Sequence, residues 1–226
     1  MQTIREKVEQ LKAELSSGNA FSEPVLLVAA TKMQTVEAIN EAIAAGVDAV
    51  AENKPQEFRD KQASLQPCPR HFIGHLQTNK IKYLLGKIDL YHSVDRDELL
   101  KELAKRSRAA GIISNVLLQI NIGEEESKSG YALSEAQEVF LRAEATEGVC
   151  VQGFMAMLPE VGEKEYLIEL IKKMRAVYEW AKARSSEIKY LSMGMSGDYK
   201  LCVAHGSNVI RVGSTIFGAR NYGGGA

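Results

Sequence analysis

The chain has 226 residues, 45% of them hydrophobic, and a formal net charge of −1 from 28 basic and 29 acidic residues interleaved along its length. That is enough chain for one domain with a proper core, and the balanced charge leaves no electrostatic footprint for nucleic acid or an anionic membrane surface. The longest clean apolar run is only about one strand long and the N-terminus carries both charge signs, which argues against a membrane span or secretory signal and for a cytoplasmic protein with a small-molecule partner.

Ile4, Val8, Leu11 and Leu15 recur at helical spacing and Gly18 with Asn19 breaks the pattern, so residues 1–18 read as an opening amphipathic helix. Val25 to Ala30 is a continuous apolar run suited to a fully buried strand, and Lys32 follows where that strand must surface. A helix carrying Val36, Ile39 and Ile43 ends at Gly46, and Val47 to Ala51 forms a second strand. The alternation continues with a helix over Pro55 to Leu65, a strand from His71 to Gly74, a helix over Thr78 to Leu85 and a strand from Ile88 to Ser93. Asp95 is a suitable N-cap for a helix carrying Leu99, Leu100, Leu103 and Ala104, closed by Gly111. Val116 to Asn121 is the fifth strand. Ser134 caps a helix with Val139 and Phe140 facing inward, and Val149 to Phe154 is the sixth strand. Leu170, Ile171, Met174, Val177 and Tyr178 mark the longest helix, and strands at Ile188 to Ser192 and Val209 to Val212 follow.

Eight short strands separated by helices, with no hairpin signal between them, point to parallel pairing through right-handed crossovers. The economical architecture is an α/β fold: a single (β/α)8 TIM barrel over residues 1–226, with the opening helix as an extra that plugs or flanks it and residues 221–226 as a flexible tail. An open doubly wound sheet is the alternative. The three cysteines, Cys68, Cys150 and Cys202, are far apart and form no CxxC pair, which fits a reducing compartment. His71 and His75 are four residues apart but lie on a strand and a turn, so no metal site is expected.

In a barrel, binding and catalytic groups come from the carboxyl ends of the strands. Those positions read Lys32, Glu52 with Asn53, Gly74 with His75, Ser93 with Asp95, Asn121, Met155, Ser196 after Gly194, and Gly213 with Ser214. Any one of these is an ordinary strand exit; their combination at one rim is what carries information. Small residues after the last two strands let backbone N–H groups approach an anion, the hydroxyls add donors, and a short helix starting at Ser214 would aim its positive end at a phosphate. Strand one neighbours strand eight in a closed barrel, so Lys32 faces that phosphate site at a distance suited to a small phosphorylated aldehyde. Lysine forms Schiff bases with carbonyls, and pyridoxal 5'-phosphate (PLP) combines an aldehyde with a phosphate. Arg211, two residues before Gly213 on the same side of an alternating strand, could point at the pyridine nitrogen, where a permanent positive charge disfavours ring protonation and weakens the electron sink. The plainer reading of Arg211 is an ion-paired arginine inside the barrel.

These residues resemble the pyridoxal phosphate homeostasis proteins, also called proline synthetase co-transcribed proteins, single-domain relatives of the alanine racemase barrel. The resemblance spans nearly the whole chain. It is carried by Ala29 to Lys32, Glu52-Asn53 with Gln56-Glu57, the run from His71 to Lys80, and Ser93-Val94-Asp95. Further along it is carried by Gln119 to Asn121 with Ser127 to Gly130, Leu191 to Ser196 with Asp198, and Arg211 to Gly213 with Phe217 to Arg220. It implies a fold of the type III class of PLP proteins, Lys32 carrying the cofactor as a covalent internal aldimine, Asn53 beside the ring, Arg211 facing the pyridine nitrogen, and Ser196, Gly213 and Ser214 holding the phosphate. It also implies a mostly monomeric protein that buffers or delivers PLP without an established reaction, with apo enzymes that use the cofactor as candidate recipients. Lys128 is a weaker candidate for cofactor exchange, with a solvated loop lysine as the plainer reading. The chain departs from the family pattern at Thr31, at Ala51 before Glu52-Asn53, and at Arg70, and lacks the proline common shortly after the lysine.

The competing function is a PLP-dependent amino-acid racemase or decarboxylase. In two-domain racemases a second acid/base group comes from an added β domain, and the sequence closes at Gly223-Gly224-Gly225-Ala226 without residues for one, which favours a carrier. A third reading is a barrel for another sugar or ring phosphate, with Lys32 as a plain charge.

Overall fold

The computed structural model describes residues 2–125, 128–160 and 162–218. Ser127, Ala219 and Arg220 of the family motifs and the expected tail at 221–226 lie outside the described residues. The strands are β1 (Leu26–Ala30), β2 (Ala49–Glu52), β3 (Arg70–Phe72), β4 (Leu90–Val94), β5 (Ser114–Asn121), β6 (Tyr131–Ala132), β7 (Val149–Ala156), β8 (Tyr190–Ser192) and β9 (Val209–Val212). The helices are α1 (Ile4–Leu15), α2 (Val36–Ala44), α3 (Pro55–Lys61), α4 (Asp97–Ala109), α5 (Ala136–Glu144), α6 (Lys164–Lys182), α7 (Tyr199–Ala204) and α8 (Ser214–Phe217).

Eight strands pair in parallel around a ring, β1-β2-β3-β4-β5-β7-β8-β9 and back to β1, while the two-residue β6 adds only to the end of β5. The sheet is therefore the closed barrel and not the open doubly wound alternative. Strand alternation sorts the residues. On β1, Leu26 and Val28 point into the barrel with Ala49, Ala51, Ile73, Tyr190 and Val209. Leu27 and Ala29 point outward into a layer shared with Val50, Ile210 and Val212 and with α1 and α2. The larger outer layer holds Phe72, Leu103, Leu118, Phe140, Phe154, Met174 and Tyr178 between the remaining strands and helices.

The opening helix flanks the barrel and does not plug it. Thr3 caps α1 through a reciprocal pair, its hydroxyl accepting from the Glu6 N–H while the Glu6 carboxylate accepts from the Thr3 N–H. Its apolar stripe of Val8, Leu11 and Leu15 packs with Ile39, Ala42 and Ile216. Lys7 Nζ donates to the Ile216 carbonyl at 3.3 Å, and Lys12 donates to both carboxylate oxygens of Asp48, of which Oδ2 also accepts the Leu27 N–H at 2.7 Å. The helix thereby covers the seam where β1 meets β9.

At the opposite end from the strand carboxyl termini, Arg175 is buried and donates to Glu23 at 2.6 Å and to the Gly206 carbonyl at 2.8 Å, while Lys182 reaches the same Glu23 at 2.6 Å. Burial works against the Glu23 charge, yet Arg175, Lys182 and Asn19 together hold its carboxyl down at about 2. Replacing Glu23 with glutamine leaves a buried guanidinium under-compensated and is expected to cost about 3 kcal/mol in urea unfolding at pH 7. A depressed carboxylate contributes its stability above its ordinary value of 4.5 and loses it as pH falls toward about 2. The gap between wild type and Glu23→Gln should accordingly close over that window.

Four local expectations are corrected. The segment after β3 is a 3-10 turn over Thr78–Tyr83 and not an α-helix; Gly86 closes it after too few apolar positions for a longer one. Asp95 does not cap α4: Arg96 holds the N-cap position without a side-chain bond, and the Asp95 carboxylate is committed to His75 and Arg96. Ser134 lies inside a 3-10 turn that leads into α5, so Glu135 is the N-cap. Lys128 is not solvated, since its ammonium donates to the Leu158 carbonyl at 3.0 Å and pairs with Glu125 at 2.6 Å.

Candidate functional site

The carboxyl ends of β1, β2, β8 and β9 surround a cavity of about 390 Å³. Lys32, Asn53, Ser196, Arg211, Gly213 and Ser214 all line it. Ala30 and Ile73 form part of its wall, and Met157 and Met195 stand with them. The space exists because the inward residues near the top of β1 and β2, Ala30 and Ala51, are small and sit side by side in register.

Lys32 lies two residues past the end of β1, half-buried, and takes part in none of the ion pairs of the described residues. A lysine without a carboxylate partner, aimed along a cavity wall, keeps its nitrogen free for a carbonyl. Asn53 follows β2, and its backbone lies so close to Gly74 that a Cβ there would stand 1.9 Å from the Asn53 carbonyl oxygen. Glycine is thus required at 74, and the β2 and β3 exits are locked together. Ala51 packs inward with Val28 and Ala49 without displacing that contact.

The turns after β8 and β9 form an oxygen cradle. Ser196 Oγ accepts from the backbone N–H groups of Gly213 and Thr215, each at 3.3 Å. Two convergent N–H donors with an oxygen already at hydrogen-bonding distance are what a phosphate oxygen needs. Gly213 keeps this close approach open: a Cβ there would stand 3.3 Å from the Ala30 carbonyl.

Arg211 is buried in the barrel and donates to the Ser192 carbonyl at 2.8 Å, Ser192 Oγ at 2.6 Å and the Ala156 carbonyl at 3.3 Å. Among the described residues no carboxylate pairs with it, so the ion-paired reading fails, and burial pulls its pKa down to about 10. A guanidinium has only donors to give, so Ser192 Oγ accepts from Arg211, and the same oxygen hydrogen-bonds His92 Nδ1 at 3.0 Å. His92 Nε2 in turn hydrogen-bonds His71 Nδ1 at 3.0 Å, one ring donating and the other accepting. Burial holds both histidines neutral, His71 down at about 4. This internal relay was not visible in the sequence. Its members come from β3, β4, β8 and β9, and only the barrel register brings them together.

Other polar strand ends do not line the cavity. Ser93 donates to the Gly74 carbonyl, His75 bonds Asp95 at 2.8 Å, and Asn121 ties its own loop through the Glu125 and Lys128 carbonyls. Among the described residues no three His, Cys, Asp or Glu side chains stand close enough to hold a metal, and no helix is long and apolar enough to cross a membrane. The three cysteines are free.

A closed parallel barrel with a lysine at the exit of its first strand and an oxygen cradle after its last two defines a class, and the family model described as "Alanine racemase, N-terminal domain" matches residues 1–221. Within that class, the curated "Pyridoxal phosphate homeostasis protein" of Aquifex aeolicus is 36% identical over 199 residues, 87% of each chain. The protein of that name from Escherichia coli K12 is 33% identical over 231 residues, covering 98% of this chain and 99% of its own. PipY of Synechococcus elongatus, solved with PLP bound, superposes with a TM-score of 0.83 at 29% identity and covers 96% of this chain and 100% of its own. The chain belongs to the pyridoxal phosphate homeostasis protein family.

Proposed function

We propose that this protein binds PLP in the cavity at the carboxyl end of the barrel and holds it for buffering or delivery without turnover. The observation that carries the reading is the meeting, on one cavity, of a two-N–H oxygen cradle with a lysine and an arginine that have no acidic partner among the described residues. The volume suits a small phosphorylated ring, and PipY, a relative solved with PLP bound, supports the choice. PLP when bound supplies an amine-reactive aldehyde and an electron-withdrawing ring. In this reading Lys32 Nζ would be the point of attachment for the aldehyde, whose oxygen would leave as water. Gly213, Ser214 and Ser196 receive the phosphate, with Ser196 Oγ yielding its acceptor position. Arg211 presents a donor-only, positive edge toward the ring nitrogen, and Asn53 stands beside the ring.

A racemase needs groups on both faces of the substrate to remove and return a proton. Among the residues lining the cavity, Lys32 and Arg211 are the titratable ones, and Arg211 is fixed by oxygen acceptors in the barrel. That favours a carrier over the racemase or decarboxylase alternative. We read residues 1–226 as one ligand-binding domain of a monomeric, cytoplasmic protein, with apo enzymes that use PLP as its recipients.

The test is covalent trapping. Mixing the protein with PLP, reducing with borohydride and digesting should place the phosphopyridoxyl mass on the peptide containing Lys32. Equal labelling of several surface lysines, or none, would refute the site. Incubating the loaded protein with enantiopure amino acids addresses turnover, and loss of optical activity well above the rate with free PLP would overturn the carrier reading.

A further inference from the structure

The peptide groups on either side of Lys32 are both held by one ion pair on α3. The carbonyl of Thr31 accepts from Lys61 Nζ at 3.3 Å, and the N–H of Met33 donates to Glu57 Oε2 at 2.9 Å. Glu57 and Lys61 are one helical turn apart and bond each other at 3.0 Å. Lys61 also reaches Glu52 Oε1 at 3.0 Å, and that same oxygen accepts the Thr31 hydroxyl at 2.7 Å. All three ammonium hydrogens of Lys61 therefore have acceptors, on Thr31, Glu52 and Glu57. Glu52 points away from the cavity because Ala51 points into it, so a residue that resembles a ligand group at the rim belongs to this outer clamp.

Met33 adopts a left-handed backbone at φ 61, a conformation disfavoured for a side chain other than glycine or asparagine. It is exposed, so no burial of its own side chain holds it there. Two bonds hold it there: the Gln34 N–H donates to the Thr31 carbonyl at 3.0 Å and closes the turn, and the Met33 N–H donates to Glu57. The turn it makes fixes the direction in which Lys32 leaves the strand. Glu57 stays charged to do this: burial opposes its ionisation, but the Met33 N–H and Lys61 keep its carboxyl below the usual range.

We propose that Glu57 and Lys61 are positioning residues that aim the Lys32 side chain into the cavity by pinning the peptide groups before and after it. The proposal rests on the reading of Lys32 as the attachment point for PLP. It predicts that the pair matters for ligands that bond to Lys32 and not for ligands that use only the phosphate cradle.

The experiment compares PLP with pyridoxine 5'-phosphate, which has the same ring and phosphate but an alcohol in place of the aldehyde. Glu57→Ala should weaken PLP binding about tenfold, the scale of one charge-assisted hydrogen bond, and slow the appearance of the visible-edge absorbance. Binding of the alcohol should be unchanged. Adding Met33→Asn, which favours the left-handed conformation on its own, should recover most of the loss. Lys61→Met, which takes the ammonium from the Thr31 carbonyl and leaves it only the Gln34 N–H, should show the same split between the two ligands and serves if Glu57→Ala folds poorly. Unchanged PLP binding in both variants overturns the proposal. So does an equal loss for PLP and the alcohol, which would make the pair a support for the whole cavity. A wild-type protein that gains no absorbance and no reduction adduct with PLP would instead bring down the cofactor reading itself.

Discussion

The Lys32→Ala variant is expected to take up PLP without developing the absorbance near the visible edge and without retaining label after borohydride reduction. Its affinity should fall by about a hundredfold or more, about 2.7 kcal/mol, because the covalent attachment proposed for Lys32 would be lost while the cradle of Gly213, Thr215 and Ser196 stays intact. The residual binding should be competed by inorganic phosphate. Lys32 pairs with no carboxylate of the described residues, so its loss leaves no orphaned charge and the variant should unfold at the same urea concentration as the wild type. A variant that keeps both the absorbance and the label would move the attachment point elsewhere.

Replacing Arg211 with glutamate should be the most disruptive single change in the site. The guanidinium satisfies the Ser192 carbonyl, Ser192 Oγ and the Ala156 carbonyl. A glutamate would bring acceptors against acceptors in a buried position, at a cost of about 3–5 kcal/mol in the ligand-free protein. With PLP present, a carboxyl group at the position proposed to face the ring nitrogen would favour a protonated ring, and the absorption maximum and its pH dependence should shift. Denaturation with and without PLP and a pH-resolved spectrum measure both effects. A destabilised protein with an unchanged bound spectrum would detach Arg211 from the ring nitrogen.

The grouping of the candidate site residues on one cavity was largely legible in the sequence because they sit at strand exits, and strand exits can be read from apolar runs ending in polar or small residues. Lys32, Asn53, Ser196, Arg211, Gly213 and Ser214 fall on one cavity because strand order in a barrel follows chain order. What escaped was everything set by lateral register. His71, His92 and Ser192 are distant in the chain and meet through the barrel interior. Glu52 looks like a ligand by its position and becomes a clamp by the parity of its strand, a signal present in the inward pair Ala49 and Ala51. Asp95 fits an N-cap by residue type, but the tertiary demands of His75 and Arg96 outbid the local preference. The Thr78 to Tyr83 segment carries the apolar spacing of a helix but is too short before Gly86 to settle into one.

The seam covered by α1 has a consequence for when the site comes into being. Lys32 stands just past β1, whereas Arg211, Gly213 and Ser214 stand on or just past β9, and those strands touch only when the ring closes. On the ribosome, the lysine emerges long before the cradle. A nascent chain holds half a site until its last strand docks, so ligand capture reports that the barrel has been finished. A bound molecule touching both edges acts as a clasp across the closure, and its binding free energy is added to the one contact that local βα folding does not secure. Retention of the cofactor and integrity of the ring then become a single quantity, readable as the rise in melting temperature on loading.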